Sequence, residues 1–296
     1  MKINRLFFLG LVLSLVAFLL IGCNKGEEKV VEVKKAEPYA HPEALISADQ
    51  LKRILMQPNL TIIDTRPQED YLQEHIPGAI HFKVKLVLDP NRKGRFASAG
   101  ILSRYMRQYG INSTDHIVVY SDDYSHARLW CSLNMYGIKN VQILNGGFAQ
   151  WKNKGYETAT GRERKAKLGK FVPGEKTNTI INTEQVSAAV RTSDNVIIDA
   201  RSLDEYSSGH IPGAINIPCD QLINEDGTFK SISELKKIFN KYVTSDKQII
   251  VYSRNATRSS YLFFVLNKLL GYENVKIYDG YRIYWAPHKA REKGIN

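Results

Sequence analysis

Short apolar runs alternate along most of this chain with longer stretches that are apolar on one side. Residues 62–63 and 249–251 are examples of the short β-branched runs, and residues 129–136 and 261–270 are stretches of helical length. Apolar strands that alternate with amphipathic helices are typical of a parallel sheet covered by helices on both faces. The pattern therefore predicts an α/β fold.

Three blocks of this pattern occur twice, in the same order. Such matches in register do not arise by chance, so the chain is interpreted as a tandem duplication of one domain. The blocks are Ile-Ile-Asp-x-Arg (62–66 and 197–201), Tyr-x-x-x-His-Ile-Pro-Gly-Ala-Ile (71–80 and 206–215) and an apolar run ending in Tyr-Ser (117–121 and 249–253).

The copies are separated by residues 158–179, which are rich in Lys, Arg, Gly and Pro and lack periodicity. Such composition indicates a linker. The sequence thus predicts an N-terminal domain at 44–157 and a C-terminal domain at 180–296, each a parallel sheet flanked by helices. A chain of 296 residues is of ordinary length for two domains.

The N-terminus carries an export signal. Basic residues precede an apolar run at 6–21, which is shorter than a membrane-spanning helix requires and ends in Gly22-Cys23. This ending resembles the bacterial lipobox, which implies a signal peptide at 1–22 and lipidation of Cys23. The charged segment 23–43 is predicted as a flexible tether. The alternative is an uncleaved N-terminal anchor. Both interpretations place the protein in the bacterial envelope, membrane-attached and extracytoplasmic.

The net charge of +11 is spread along the chain. No basic motif interleaved with aromatic residues is present, so the sequence does not indicate a nucleic-acid partner. Attraction to an anionic membrane surface or to anionic substrates is the interpretation that remains. Apart from Cys23, each copy has one cysteine, Cys131 or Cys219, so neither a disulfide framework nor a metal site is predicted.

Candidate chemistry lies in the loop that follows Tyr252. In open α/β sheets ligands bind beyond the carboxyl ends of the strands, where helix N-termini present free N–H groups. The loop is therefore predicted to form an anion site, and the alternative is an ordinary polar turn. Its candidate residues are Ser253, Arg254, Asn255, Ala256, Thr257 and Arg258.

From about Pro42 onwards the two Tyr-x-x-x-His-Ile-Pro-Gly-Ala blocks resemble those of the tandem rhodanese-type sulfurtransferases. The resemblance implies a catalytically silent first domain and an active loop, Cys-x-x-Gly-x-Arg or Thr, in the second. In that family the Cys takes a sulfur atom from thiosulfate or mercaptopyruvate, becomes a persulfide and passes the sulfur to cyanide or a thiol. No cofactor is implied.

The chain departs from this pattern where the chemistry occurs. Ser253 stands at the family's Cys position, and a hydroxyl cannot form a persulfide. Serine would need an adjacent base to act as a nucleophile, and the loop contains no His. Ala256 stands at the family's Gly position, where a Cβ is costly if the backbone has a positive φ. The later Asp-Gly-Gly signature is eroded as well, since Tyr281 follows Gly280.

The resemblance places the Arg of Asp-x-Arg, here Arg201, near the active pocket, which makes it a candidate substrate-binding residue. Its alternative role is a surface ion pair with Glu205. Arg66 repeats this arrangement with Glu69 or Asp70 in the silent copy, and the repetition favours a structural role. His210 is interpreted as structural for the same reason, because His75 is its counterpart.

Two functions remain. The first is a membrane-tethered binding module for a small sulfur-containing anion, another oxyanion or a thiol protein, with sulfurtransferase ancestry and impaired persulfide chemistry. The second is an active thiosulfate or mercaptopyruvate sulfurtransferase that uses another thiol. Cys219 is predicted to lie away from the loop and Cys131 inside a buried helix, so neither is a favoured sulfur carrier. Phosphatase activity on this fold would also require the loop Cys.

Overall fold

A computed structural model describes residues 37–92, 94–162, 167–244 and 246–294. The predicted signal peptide and Cys23 lie outside these residues. In the part of the chain described, no helix has the length and apolarity needed to cross a membrane.

The first domain is built around a five-stranded sheet of order β1-β5-β4-β2-β3, in which all neighbouring strands are parallel. Short 3₁₀ turns precede β1 and follow β3. The elements are β1 (Leu45–Ile46), α1 (Ala48–Ile54), β2 (Leu60–Asp64), α2 (Gln68–Gln73), β3 (Ile80–His81), α3 (Ala99–Gln108), β4 (His116–Tyr120), α4 (Ser125–Met135), β5 (Val141–Leu144) and α5 (Gly147–Asn153).

The second domain has a parallel sheet of order β6-β10-β9-β7-β8, which is the first order shifted by five strands. This identity confirms the predicted fold class and the duplication. A wider helical turn, Tyr281–Trp285, replaces the last helix. The elements are β6 (Ile180–Ile181), α6 (Thr183–Ala189), β7 (Asn195–Asp199), α7 (Leu203–Ser207), β8 (Ile215–Asn216), α8 (Ile232–Phe239), β9 (Gln248–Tyr252), α9 (Thr257–Phe264) and β10 (Val275–Tyr278).

Helices α4 and α9 follow the central strands of the two sheets and pack against each other. Most residues of both helices are buried, including polar ones such as His126, Arg128 and Ser259. The indole of Trp130 meets the ring of Phe264 edge-on, with their centroids 4.8 Å apart. Buried residues of both domains therefore form one continuous core.

The segments predicted as tether and linker both contribute to this folded unit. The backbone N–H groups of Ala40 and His41 donate to the carbonyls of Leu269 and Lys268, in the helical turn Val265–Leu269 that follows α9, at 2.9 Å, and the Tyr39 hydroxyl donates to the Lys230 carbonyl at 2.9 Å. Residues 39–41 therefore dock on the second domain, and the Glu43 carbonyl is bonded by Gln142 of the first, so a flexible tether is wrong for residues 39–43. In the linker, Phe171 is buried against the first domain.

Candidate functional site

The loop between β9 and α9 turns its first side chain inward and the next two outward. Ser253 is 1% exposed, whereas Arg254 and Asn255 are exposed. The Ser253 Oγ accepts the backbone N–H of Ser259 at 3.2 Å and lies 3.3 Å from the Ser259 Oγ. An atom at the Oγ position is thus held at the N-terminus of α9, where the helix dipole favours negative charge.

Ala256 has a φ of +59°. It is the one non-glycine residue with a positive φ in the described ranges. The left-handed conformation costs an L-residue roughly 1–2 kcal/mol, and it is the condition under which the sequence analysis expected a Cβ at this position to be costly. Two bonds hold this conformation from the helix side, since the Ser260 N–H and Oγ both donate to the Ala256 carbonyl at 3.0 and 2.7 Å. These hydrogen bonds thus help to hold the left-handed conformation in the presence of the Cβ.

Several N–H groups of this loop have no protein acceptor. The Thr257 N–H donates to the Asn255 Oδ1 at 3.3 Å. Among the hydrogen bonds of the described residues, none uses the N–H groups of Arg254, Asn255 or Ala256. Successive free N–H groups around a left-handed residue form a concave site for an anion. The anion site predicted at residues 253–258 stays a prediction, and these free N–H groups are the feature of the loop on which it depends.

Arg258 is anchored beside the loop by Glu205. The Arg258 Nη1 lies 2.6 Å from the Glu205 Oε2, and both side chains are partly exposed. Burial opposes ionisation of Glu205, but the hydrogen bond and charge of Arg258 outweigh it and hold the pKa of Glu205 below its ordinary value. Part of the positive charge of Arg258 is therefore balanced, and the exposed Arg254 is the less compensated cation of the loop.

Arg201 does not form the predicted pair with Glu205. Its Nη2 lies 2.5 Å from the Asp199 Oδ2 and also donates to the Gly209 carbonyl at 2.9 Å. The guanidinium packs over the Tyr281 ring, 4.5 Å from its centroid. Arg201 is 5% exposed and bonded to the strand end, and its role in substrate binding stays a prediction.

Arg66 has the same arrangement in the first domain. Its Nη2 bonds both the Asp64 carboxylate and the Glu74 carbonyl at 2.7 Å, rather than the helix-surface carboxylates that sequence spacing suggested. In both copies the Arg of Asp-x-Arg therefore braces the end of a central strand against the following turn. The spacing of charged residues on the predicted helix did not reveal this Asp–Arg pair. The pair forms because the strand ends at the Asp, which brings its carboxylate within hydrogen-bonding distance of the Arg two residues later.

The repeated histidines are structural in both copies. The His210 Nδ1 lies 2.9 Å from the Tyr206 carbonyl, and its ring stacks on Tyr206 with centroids 3.7 Å apart. His75 and Tyr71 repeat both contacts, at 2.7 and 4.0 Å. These interactions agree with the interpretation made from the duplication.

Cys219 lies closer to the loop than the sequence suggests. Its Sγ is 3.3 Å from the Arg258 carbonyl, so the prediction that it lies away from the loop is wrong. The turn after β8 reaches the first turn of α9 because β8 and β9 flank the same strand, β7. The thiol is nevertheless 2% exposed, and burial raises its pKa well above the ordinary value. Burial likewise raises the pKa of Cys131 to about 12.

The loop of the first domain has the opposite electrostatic character. The Ser121 Oγ donates to the Asp123 carboxylate at 2.8 Å. A cavity of about 400 Å³ next to this loop is lined by the carboxylates of Asp122, Asp123, Glu225 and Asp226. The first copy would repel an anion, as the sequence predicts.

A second cavity adjoins the loop of the second domain. It measures about 350 Å³ and lies between the domains, with Asn255 on one side and Lys85 and Arg282 among its other lining residues. These two cations were not among the predicted site residues, since no local signal connects them to the loop. No cluster of His, Cys, Asp or Glu that could hold a metal ion occurs among the described residues.

Two copies of a parallel sheet with the same strand order define a class of duplicated α/β proteins. The model of the rhodanese-like domain matches residues 47–154 and 182–282. The chain therefore belongs to the rhodanese family and contains two such domains.

Relatives along most of the chain are sulfur-handling proteins. The chain is 32% identical to the sulfur carrier protein TtuD of Thermus thermophilus over 84% of its length and 95% of that protein. It is also 32% identical to a Mycobacterium bovis protein assigned as a thiosulfate sulfurtransferase, covering 81% and 94%. The crystal structure of the 3-mercaptopyruvate sulfotransferase SseA from Escherichia coli is 30% identical, with a TM-score of 0.71 over 80% of this chain and 98% of SseA.

Proposed function

We propose that this rhodanese-family protein binds a small sulfur-containing anion or another oxyanion at loop 253–258 and does not form a persulfide there. The observation that carries the proposal is the position of the Ser253 Oγ, which receives an N–H from the first turn of α9. A thiol at this position would have a depressed pKa and would supply a thiolate. A hydroxyl remains protonated under the same influence, so the loop keeps its attraction for anions and lacks the sulfur nucleophile.

Anion binding is supported by the charge and geometry of the loop. The N–H groups of Arg254, Asn255 and Ala256 are free of protein acceptors, and the exposed Arg254 adds a positive charge. The adjacent cavity of about 350 Å³ has room for a small substrate or for the exposed end of a thiol protein. Thiosulfate, which contains both sulfur and anionic oxygen, is the appropriate probe.

The alternative function is sulfur transfer through another thiol. The similarity to sulfurtransferases favours it, and the burial of the two cysteine side chains opposes it. Cys131 and Cys219 are 0% and 2% exposed, and burial raises the pKa of both thiols. Sulfur transfer requires a thiolate, and the Cys219 Sγ faces the carbonyl oxygens of Ala200 and Arg258, which disfavour negative charge, whereas the side-chain atom at position 253 receives an N–H. Neither thiol meets this requirement.

The lipobox at Cys23 motivates the second part of the proposal, which is attachment of the protein to a membrane on its extracytoplasmic side. One lipidated cysteine and a basic chain would together provide the two weak membrane signals that stable anchoring requires. Mass spectrometry of the N-terminal peptide should find a mature chain that begins at a lipid-modified Cys23. An intact, unmodified N-terminus at Met1 would contradict the tether.

The function is tested on the full-length chain purified in detergent. We expect thiosulfate to bind by isothermal titration calorimetry, and we expect no thiosulfate:cyanide or mercaptopyruvate:thiol sulfur transfer. The variant Ser253→Cys should gain one sulfur atom by mass spectrometry after exposure to thiosulfate. Ser121→Cys is the matched control, since it places a thiol at the corresponding position of the acidic loop, and it should gain none.

Two outcomes would overturn the proposal. One is sulfur-transfer turnover by the unaltered chain that disappears in Cys219→Ser or Cys131→Ser, because it would show that a buried thiol carries sulfur. The other is absence of thiosulfate binding in both the unaltered chain and Ser253→Cys, because the loop would then not be an anion site.

A further inference from the structure

A buried arginine of the first domain reaches the loop of the second. Arg128 lies on α4 and is 0% exposed. Its Nη1 donates to the backbone carbonyl of Asn255, and its Nη2 donates to the Gly94 carbonyl at 3.0 Å. The guanidinium also lies over the Phe96 ring, 4.1 Å from its centroid. Two hydrogen bonds and the ring contact therefore hold the guanidinium in one orientation, in which its Nη1 points to the loop of the second domain.

The bond to Asn255 controls an N–H group of the candidate anion site. In a trans peptide unit the C=O and the N–H point in opposite directions. The Asn255 carbonyl belongs to the same peptide unit as the Ala256 N–H, so holding the carbonyl against Arg128 turns that N–H away from Arg128. The orientation of this unit also determines the φ of Ala256, which is the strained +59°.

We propose that Arg128 is a positioning residue for the anion loop of the second domain, so that the first domain, silent in its own loop, supplies a necessary part of the site. The inference rests on the proposed anion binding. Arg128 keeps the 255–256 peptide unit in the orientation that presents the Ala256 N–H to the ligand, and it stabilises the left-handed conformation from the first-domain side, opposite to the bonds from Ser260.

The chemistry of the side chain supports a role beyond filling space. Burial lowers the pKa of Arg128 to about 10, which leaves the guanidinium charged at neutral pH. Removing a cation from water is costly unless it is used in charge-assisted hydrogen bonds, and an apolar side chain would fill the same volume without that cost. The carboxylate of Asp279, which receives the Phe96 N–H at 3.1 Å and is paired with Arg95, contributes compensating charge nearby.

The two copies are not symmetric at this position. Counted from the paired serines at 121 and 253, the counterpart of Arg128 on α9 is Ser260, whose Oγ bonds the Ala256 carbonyl of its own loop. The second domain therefore sends no equivalent arginine into the acidic loop of the first. Only the loop that is proposed to bind an anion receives this support.

The first measurement is thiosulfate affinity by calorimetry on the full-length chain. Arg128→Met, which retains side-chain volume and loses the donors, should weaken binding about tenfold or more, the usual effect of losing a charged hydrogen bond. Arg128→Lys, which keeps one charged donor, should weaken it less. Arg95→Gln is the matched control, because it breaks the neighbouring interdomain pair with Asp279 without touching the Asn255 carbonyl, and it should leave affinity within about twofold.

The second measurement does not depend on thiosulfate binding. In the Ser253→Cys background, the pH dependence of alkylation by iodoacetamide reports the pKa of the introduced thiol. Arg128→Met should raise that pKa, because the N–H groups that stabilise the thiolate lose their fixed orientation, whereas Arg95→Gln should not. If thiosulfate fails to bind but the thiol pKa responds to Arg128, the proposed function fails and the positioning role stands.

Two results would overturn the positioning role. The first is an unchanged thiol pKa together with unchanged thiosulfate affinity in Arg128→Met and Arg128→Lys that retain the native circular dichroism spectrum. The second is an equal effect of Arg95→Gln, because domain packing in general, and not the Asn255 carbonyl, would then be responsible. If Arg128→Met does not fold, the comparison of Arg128→Lys with Arg95→Gln decides the question.

Discussion

At the residue scale, the proposed site depends on the side chains at positions 253 and 256. Ser253 occupies a position at which the α9 N-terminus would activate a thiol, yet the oxygen atom keeps its proton and accepts an N–H instead. Ala256 shows that a loop can retain a glycine-like conformation when surrounding bonds hold it. Both residues lie in a loop whose surrounding fold is that of a rhodanese-like domain.

His126 should make stability depend on pH. The side chain is 7% exposed and meets the Tyr261 ring edge-on at 5.7 Å, and burial lowers its pKa from 6.5 to about 4. Between these values the unfolded chain binds the proton and the folded chain does not. Stability is therefore full above about pH 6.5 and decreases as the pH falls towards 4, by about 2 kcal/mol at pH 5.

Urea unfolding at pH 7 and pH 5 measures this difference. His126→Phe should remove most of it, since the variant has no group to protonate at this position. His288→Asn, at an exposed position, is the control and should behave like the unaltered chain. An equal loss of stability at pH 5 in His126→Phe and in the unaltered chain would contradict the assignment.

At the scale of elements, the repeated sequence blocks form one interlocked unit in each domain. The hydroxyl of Tyr252, at the end of β9, accepts the Ile211 N–H at 3.1 Å, and Tyr120 accepts the Ile76 N–H at 3.2 Å. The Tyr206 hydroxyl closes the same turn by donating to the Ala214 carbonyl at 2.6 Å. The Tyr-Ser and His-Ile-Pro-Gly-Ala blocks, separate in sequence, are therefore parts of the same scaffold.

Tyr252→Phe should destabilise the second domain. The substitution leaves the buried Ile211 N–H without its acceptor, which costs about 1–3 kcal/mol. Tyr120→Phe should cost a similar amount in the first domain, for the same reason. The exposed Tyr242→Phe is the control and should stay within about 0.5 kcal/mol. Free energies of unfolding from urea titrations check all three, and a Tyr252→Phe variant as stable as the control would refute the interlocking.

For the whole molecule, the two sheets share one core between the domains, and each sheet has a further cluster of buried residues on its other face. Helices α4 and α9 bury their apolar surfaces against each other, and side chains of both domains fill the space between the sheets. The contacts of Arg95 and Arg128 with the second domain add polar bonds across the same interface. Neither domain could expose its interface helix to water without a large loss of apolar burial.

The full chain should accordingly unfold in a single transition. Trp130→Ala, which empties a large volume between α4 and α9, should cost about 3–5 kcal/mol and shift the unfolding of both domains together. Met56→Ala, at a position 92% exposed, is the control and should have little effect. Differential scanning calorimetry distinguishes one unfolding transition from two. Two separated transitions, of which only one shifts in Trp130→Ala, would contradict a shared core.

The sequence by itself determined the fold class, the duplication and the identity of the residue at position 253. Strand and helix periodicity and repeated blocks are local properties, and they are readable because neighbouring residues in each element share one environment. At Ala256 it indicated only that a Cβ is costly if φ is positive, and the structure supplied that φ. The loss of persulfide chemistry that Ser253 suggests stays a prediction.

Only the tertiary structure decided which side chains support the loop. The Arg128 guanidinium and the Asn255 carbonyl are 127 positions apart, and the Cys219 Sγ and the Arg258 carbonyl are 39 apart. The pairing of Glu205 with Arg258, in place of Arg201, likewise depends on how α7 packs beside α9. Such contacts result from the packing of whole elements, and periodicity within one element carries no information about them.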